Sequence, residues 1–361
     1  MCLKKLIRYS QAFLKRNDNL LNQTAPPPKD VYSEEGLIFA HLLNKILTFD
    51  KRNKLLLFFL TQNFVPLHPM KDALMLLRPL QWFKNAFVFA PLFFSNNLLN
   101  KEYFVQTFWT FLAFCLVSSS IYCFNDIHDV ESDRLHPKKR LRPIAAGKVS
   151  IWEGYFIMLL CLIGSLLLIT LSHSVNMPIL YGLLLGYWGM NIAYCVRLKQ
   201  YAILDVAIIA VGFVIRVLIG GFTTDIFVSG WLALMTFLLA LFLAFAKRKD
   251  DYRIYELTGT MPRKSIAGYN AQFIDLSVTI VGTITMVCYI IYTMNEGVMD
   301  RFGSSYVYLT NFWVLAGLLR YLQNMLVYQR SGSPTKVLVK DRFIQVCIAG
   351  WIASFFAIIY L

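Results

Sequence analysis

From Leu74 to the last residue, apolar runs long enough to cross a bilayer alternate with short polar breaks. The runs fall at roughly 80–99, 103–124, 151–172, 176–195, 203–222, 227–246, 271–293, 305–327 and 342–361. About 20 residues of helix cross the hydrocarbon core. The pattern therefore predicts an all-α, polytopic membrane protein with nine transmembrane helices. The balance of residues agrees, with 57% hydrophobic and 16% charged among 361 and a mean hydropathy of +0.53, where a soluble domain carries about 25% charged residues. Residues 1–70 read differently. Lys4, Lys5, Arg8, Lys15 and Arg16 make the start basic, Pro26, Pro27 and Pro28 break the chain, and the apolar stretch from Leu55 to Phe64 is too short to span. They are expected to form an N-terminal cytoplasmic or membrane-surface extension, and residues 71–361 the transmembrane domain. The first 30 residues lack the continuous apolar core of a cleavable signal peptide.

The polar breaks carry the orientation. Those after the second, fourth, sixth and eighth runs hold eighteen Lys and Arg residues, and the opposite side holds two, Lys101 and Arg301. The positive-inside rule then puts the N-terminus and all four basic loops in the cytoplasm and the C-terminus outside. The net charge of +14 is read as loops facing anionic lipid headgroups, and not as a nucleic-acid surface. Seven cysteines lie scattered without a CxxC pair and read as small buried hydrophobes.

One break stands apart. Asn125 to Gly147 reads NDIHDVESDRLHPKKRLRPIAAG, with its charges sorted by sign. Asp126, Asp129, Glu131 and Asp133 come first; Lys138, Lys139, Arg140 and Arg142 follow, with Arg134 between. If the preceding helix continues, Asn125, Asp129 and Asp133 fall at i, i+4 and i+8, with Asp126 beside them and Glu131 turned away. Clustered oxygen ligands suit Mg²⁺, which is usually held by one or two carboxylates plus substrate phosphates. The basic run supplies donors for phosphate oxygens. A plain topology-fixing loop would leave both the spacing and the sorting without a cause. His128 and His136 have no third nitrogen or sulfur ligand at zinc spacing.

Other candidates lie on the same side. Lys84 and Asn85 sit just inside the first run, where a lysine needs an anionic partner, and Trp82 beside them suits an interfacial anchor. Tyr194, Arg197 and Lys199 precede Asp205, an acid near the cytoplasmic end of the fifth run. Lys247-Arg248-Lys249-Asp250-Asp251 joins base and acid again, and the two aspartates are open to a second metal or a helix cap. Arg216 and Arg320 are intramembrane charges, open to a functional role or to a structural pair.

At these residues the chain resembles the UbiA superfamily of intramembrane prenyltransferases, over about residues 75–361. Within it, RPLQWFKNAFVFAPLFF, the extended aspartate segment, LDVAIIAVGFVIRVLIGG, LAFAKRK and GSPTKVLVKDR resemble the decaprenyl-phosphate phosphoribosyltransferase branch. The resemblance implies nine helices around a central cavity, a polar site under a cytoplasmic cap, and a lateral opening for a lipid, in a bacterial inner membrane. It implies phosphoribosyl pyrophosphate as donor and a polyprenyl phosphate as acceptor, with envelope biosynthesis as the setting. Asn125, Asp126, Asp129 and Asp133 would hold Mg²⁺ and the pyrophosphate. Lys84, Lys138, Arg142, Lys247 and Arg248 would contact phosphates, with Asn85, Arg134, Tyr194 and Lys199 beside the substrates and Asp205 orienting a ribose hydroxyl. Related enzymes often carry a second DxxxD motif after the sixth helix, and here that spacing is missing. Two rival readings use other substrates: an aromatic prenyltransferase taking a polyprenyl diphosphate and a hydroxybenzoate-like acceptor, and a lipid or ion transporter. A transporter more often places its key polar groups at mid-membrane. The sequence sets no oligomeric state.

Overall fold

The structure is a computed structural model that describes residues 70–135, 139–259, 261, 263–329, 337 and 339–361. The expected extension, His136 and Lys138 lie outside the described residues. The described chain is helical, with no strand among those residues. Helix α1 spans Met70–Leu77, and a 3₁₀ stretch, Pro79–Phe89, runs into α2, Ala90–Phe94. Then come α3 (Lys101–His128), α4 (Val130–Leu135), α5 (Ile151–Thr170), α6 (Met177–Val196), α7 (Leu204–Thr223), α8 (Gly230–Thr258), α9 (Ala271–Thr293), α10 (Glu296–Phe302), α11 (Asn311–Leu326) and α12 (Arg342–Tyr360).

Seven of these, α3, α5, α6, α7, α8, α9 and α12, are long and apolar enough to cross a membrane. The first and eighth expected spans are not single α-helices. The first combines eleven 3₁₀ residues with five α residues. At about 2.0 Å and 1.5 Å per residue, these sum to roughly 30 Å, a bilayer's hydrocarbon thickness. The eighth joins the 3₁₀ stretch Ser305–Thr310 to the 16 residues of α11. Local sequence explains the starts. Ser150 and Glu153 form a capping box on α5. Asn100, Ser229, Asn270 and Asp341 cap α3, α8, α9 and α12 with side-chain oxygens.

Two apolar cores share α7. One gathers Phe114, Val117, Leu180, Leu184, Tyr187 and Ile219 from α3, α6 and α7. The other gathers Val206 of α7 with Phe242, Ile274, Val278, Tyr321 and Ile344 of α8, α9, α11 and α12. The close approach of α7 to the first crossing depends on Gly220, where a Cβ would lie 1.9 Å from the Val88 carbonyl oxygen. That neighbour is backbone and cannot swing aside. Gly220→Ala is therefore expected to lower the thermal unfolding midpoint of the purified protein sharply, whereas Gly189→Ala, with nothing within 4 Å of its Cβ, leaves it unchanged.

Candidate active site

The charged window behaves at first as its spacing predicts. Helix α3 runs on to His128, and Asp129 closes it with φ −95° and ψ 7° before α4 begins. The i to i+4 backbone bonds persist across this cap, from Asp129 N to Asn125 O and from Asp133 N to Asp129 O. Asp126 and Asp133 thus stay on one face, about two turns apart, both nearly inaccessible. A single guanidinium serves both: Arg142 Nη1 donates to Asp133 Oδ2 and lies 3.1 Å from Asp126 Oδ1. Arg78 Nη2 donates to the same Asp126 oxygen, and its guanidinium stacks 5.0 Å from the Tyr122 ring.

The expected four-ligand set does not close as a cage. Asp129 turns to the next loop, where Lys199 Nζ reaches both its oxygens at 2.6 and 2.9 Å. Burial pushes the Asp129 carboxyl up, but the bonds from Lys199 and His128 outweigh it and hold the group below the usual value. The Asn125 carbonyl accepts from Cys195 Sγ at 3.5 Å. Among the described residues no three His, Cys, Asp or Glu side chains group as a metal site. The pair Asp126 and Asp133 nevertheless fits a hard divalent ion. Both carboxylates already converge on one cationic nitrogen, and Asp133 Oδ1 is buried without a hydrogen-bond partner, with Lys139 Nζ 4.0 Å away. A two-carboxylate oxygen set completed by phosphates is what Mg²⁺ takes.

Opposite lies a basic side. Arg248 is wholly buried in α8; its Nε donates to Asp205 Oδ2 at 2.7 Å and its Nη1 to Asp251 Oδ2 at 2.8 Å. The loop after α8 folds onto this pair. Ser265 Oγ and Tyr269 OH donate to Asp205 at 2.9 and 2.7 Å. Arg263 lies 3.6 Å from Asp251 and donates to Tyr194 OH at 2.9 Å. The Tyr269 hydroxyl also accepts from the N–H of Ile203. That residue, β-branched, sits at φ 67°, a strained conformation that the surrounding bonds must hold. Burial and the Asp205 bond push the Tyr269 hydroxyl well above its ordinary range, so it stays a donor.

Several expectations change. Asp205 is inaccessible and accepts from Arg248, Ser265 and Tyr269, so it anchors the segment that follows α8. Asn85 turns away from the charged end, accepting from Arg216 Nε at 2.9 Å and donating to Cys115. Arg216 is held by Asn85, the Gly212 carbonyl and Tyr187 OH, among the rings of Phe114, Tyr187 and Phe213. Arg134 is exposed on α4. Trp82 packs inward, donating to Ser119. Arg320 is a structural pair with Asp341 at 3.0 Å. Asp251 is claimed by two guanidinium groups and lies inside α8, so it caps no helix. Lys84 and Lys247 lie within electrostatic reach of each other. Arg78 and Arg263, which the sequence reading did not place in the site, are part of it. The signal for Arg78 was its position before Pro79 at the mouth of the first crossing; Arg263 carried none beyond its charge.

The UbiA prenyltransferase family matches residues 87–337 of this chain. The decaprenyl-phosphate phosphoribosyltransferase of Mycolicibacterium smegmatis is 34% identical over 293 residues, 78% of this chain and 91% of its own. The enzyme of that name from Corynebacterium glutamicum is 30% identical over 288 residues, 79% and 86% respectively. This chain belongs to the UbiA prenyltransferase family. The fold agrees with a UbiA homologue of Archaeoglobus fulgidus solved with GPP and Mg²⁺, at a TM-score of 0.59 and 19% identity, over 80% of this chain and 100% of that one. The protein is thus an integral, multi-pass membrane transferase.

The geometry makes Asp205 testable as an anchor. Removing one partner of a buried ion pair leaves the other charge unmatched and costs about 3–5 kcal/mol. Asp205→Ala is expected to lower the unfolding midpoint of the purified protein markedly. An unchanged midpoint together with abolished turnover would make Asp205 a catalytic residue instead.

Proposed function

We propose that this UbiA-family protein moves a 5-phosphoribosyl group from phosphoribosyl pyrophosphate to a polyprenyl phosphate. The observation that carries the reading is the chemistry of the second side of the site. Where a second acidic motif would stand, Asp251 is locked between Arg248 and Arg263, and Lys247 stands beside them. A donor rich in phosphate suits that side, because arginine forks and lysine match phosphate oxygens. The relatives named as decaprenyl-phosphate phosphoribosyltransferases support the same reading.

Asp126 and Asp133 would hold Mg²⁺, which when bound neutralises charge on the diphosphate. The remaining work falls to the chain. Arg142 and Arg78, released from these carboxylates, would donate to the pyrophosphate oxygens as negative charge grows on them. The bond from ribose carbon 1 to pyrophosphate breaks, and a bond from that carbon to a lipid phosphate oxygen forms. The acceptor is already an anion at neutral pH, so no general base is required. Lys199, tied to Asp129, fixes the loop between α6 and α7 against the aspartate side. In the membrane, the composite stretches 79–94 and 305–326 would complete nine spans, with the basic loops and the site on the cytoplasmic face of a bacterial inner membrane.

The test is pyrophosphate release by the purified protein with Mg²⁺. Phosphoribosyl pyrophosphate plus a polyprenyl phosphate is expected to give lipid-dependent release, and Asp133→Asn to lower it by at least about 100-fold. Silence with that pair, and release from a polyprenyl diphosphate plus 4-hydroxybenzoate, would make the protein an aromatic prenyltransferase. Lipid or ion flux without any pyrophosphate release would make it a transporter.

A further inference from the structure

One turn before Asp126, on the same face of α3, stands Tyr122. Its ring has a partner: the Arg78 guanidinium lies 5.0 Å from the ring centroid, while Arg78 Nη2 donates to Asp126 Oδ1. Its hydroxyl makes no hydrogen bond with a described residue, although the side chain is half-buried. The polar groups around it are already paired. Arg216 and Tyr187, both within electrostatic reach of Tyr122, bond to each other. The other Arg216 donors go to Asn85 and the Gly212 carbonyl. Phenols that lock helices together elsewhere in the bundle are met, Tyr269 by Asp205 and Tyr289 by Thr310 and Trp351. Tyr122 instead stands unbonded between the aspartate pair and the Arg216 brace.

A half-buried phenol without a partner loses hydration that a substrate hydroxyl would restore. Its position says which hydroxyl. Asp126 and Asp133 face the pyrophosphate end of the donor, and the acceptor brings its phosphate from the hydrocarbon side, where its chain lies. The carbon that changes partners then lies between them, on the bundle side of Asp126. Tyr122 is one turn in that direction, about 5.4 Å along the axis, a reach comparable with that from the leaving oxygen on carbon 1 to a hydroxyl of the same ring. We propose that Tyr122 is a specificity-determining residue whose hydroxyl bonds a ribose hydroxyl of the donor. The assignment rests on the phosphoribosyl-transfer reading. A prenyl chain carries no hydroxyl and would leave the phenol unpaired in apolar surroundings, which a site built around a hydrogen bond rejects. The Arg78 guanidinium over the ring holds the phenol in place before the sugar arrives.

Tyr122→Phe removes the hydroxyl and keeps the ring beneath Arg78, so the unfolding midpoint without ligand is expected to stay unchanged. The full chain in detergent with Mg²⁺ is titrated with pyrophosphate and, separately, with phosphoribosyl pyrophosphate, and the midpoint is followed. A ligand that binds the folded state raises it. The wild type is expected to respond to both. Tyr122→Phe is expected to keep the pyrophosphate response while its apparent affinity for phosphoribosyl pyrophosphate falls about 3- to 10-fold, the loss of one neutral hydrogen bond. Turnover of donor analogues lacking the 2- or the 3-hydroxyl then identifies the partner. The wild type is expected to lose about 10-fold or more in kcat/KM with one of them, because the phenol is left unpaired. Tyr122→Phe is expected to lose nothing further with that analogue.

Equal affinities for phosphoribosyl pyrophosphate in the wild type and Tyr122→Phe would overturn the assignment, as would variant and analogue losses that simply add for both hydroxyls. A pyrophosphate response that weakens in Tyr122→Phe as much as the donor response would also overturn it, because Tyr122 would then act only through Arg78 and Asp126. In each of these cases wild-type turnover of phosphoribosyl pyrophosphate leaves the donor reading standing. A wild type that binds pyrophosphate, ignores phosphoribosyl pyrophosphate and consumes a polyprenyl diphosphate removes the donor reading and the Tyr122 assignment with it.

Discussion

Asp205 and Arg248 meet at 2.7 Å with neither side chain exposed, and the charged end of the bundle is assembled on that contact. A buried charge is tolerable when it is paired and its remaining hydrogen-bonding groups are met. Asp205 draws three donors from two elements: Arg248 from α8, and Ser265 and Tyr269 from the loop that follows it. The loop between α6 and α7 joins through Ile203, whose N–H donates to Tyr269. The ion pair thereby fixes two loops relative to each other and carries Arg263 to Tyr194. The strain at Ile203 is a consequence: its φ of 67° persists because the neighbouring bonds leave the turn no alternative.

The two sides of the site solve the problem of buried charge in opposite ways. On the aspartate side, carboxylates and cations are matched pairwise or shared, with Arg142 spanning Asp126 and Asp133 and Lys199 closing on Asp129. Those cations occupy the oxygens that a divalent ion would take, so one set of charges can be exchanged for another without leaving any buried carboxylate bare. On the basic side the carboxylates are used up by guanidinium groups, and the lysines are left over. This asymmetry follows the chain: the acids come from one helix end and its cap, while the bases are spread over the first crossing, α8 and the loop after it.

Positioning depends on close backbone approach lower in the bundle. Gly220 lets α7 lie against the 3₁₀ stretch that carries Lys84, and α7 contributes to both apolar cores. The 3₁₀ geometry itself stretches a short segment over a crossing's length. Arg216 lies farther along the same helix, satisfied by Asn85, Tyr187 and the Gly212 carbonyl and framed by rings. It braces α7 against α6 and the first crossing. Asn85 belongs to this brace, which explains why it does not face the charged end.

The order of apolar runs determined an all-helical membrane protein, and the spacing of Asp126 and Asp133 determined that they share one end of α3 and its continuation. Both are local facts: bilayer thickness sets run length, and 3.6 residues per turn sets which carboxylates are neighbours. Tertiary structure decided the rest. Whether Asp205 meets substrate or an arginine 43 residues away, whether Arg78 reaches an aspartate 48 residues away, and which lysines are left without an acid all depend on pairings between helices. Hydropathy and spacing carry no record of those pairings, because a salt bridge is set by where two helices cross and not by the residues beside either partner. The same holds for the composite first crossing: its apolar content was visible, but its 3₁₀ winding and its packing against α3 and α7 were not.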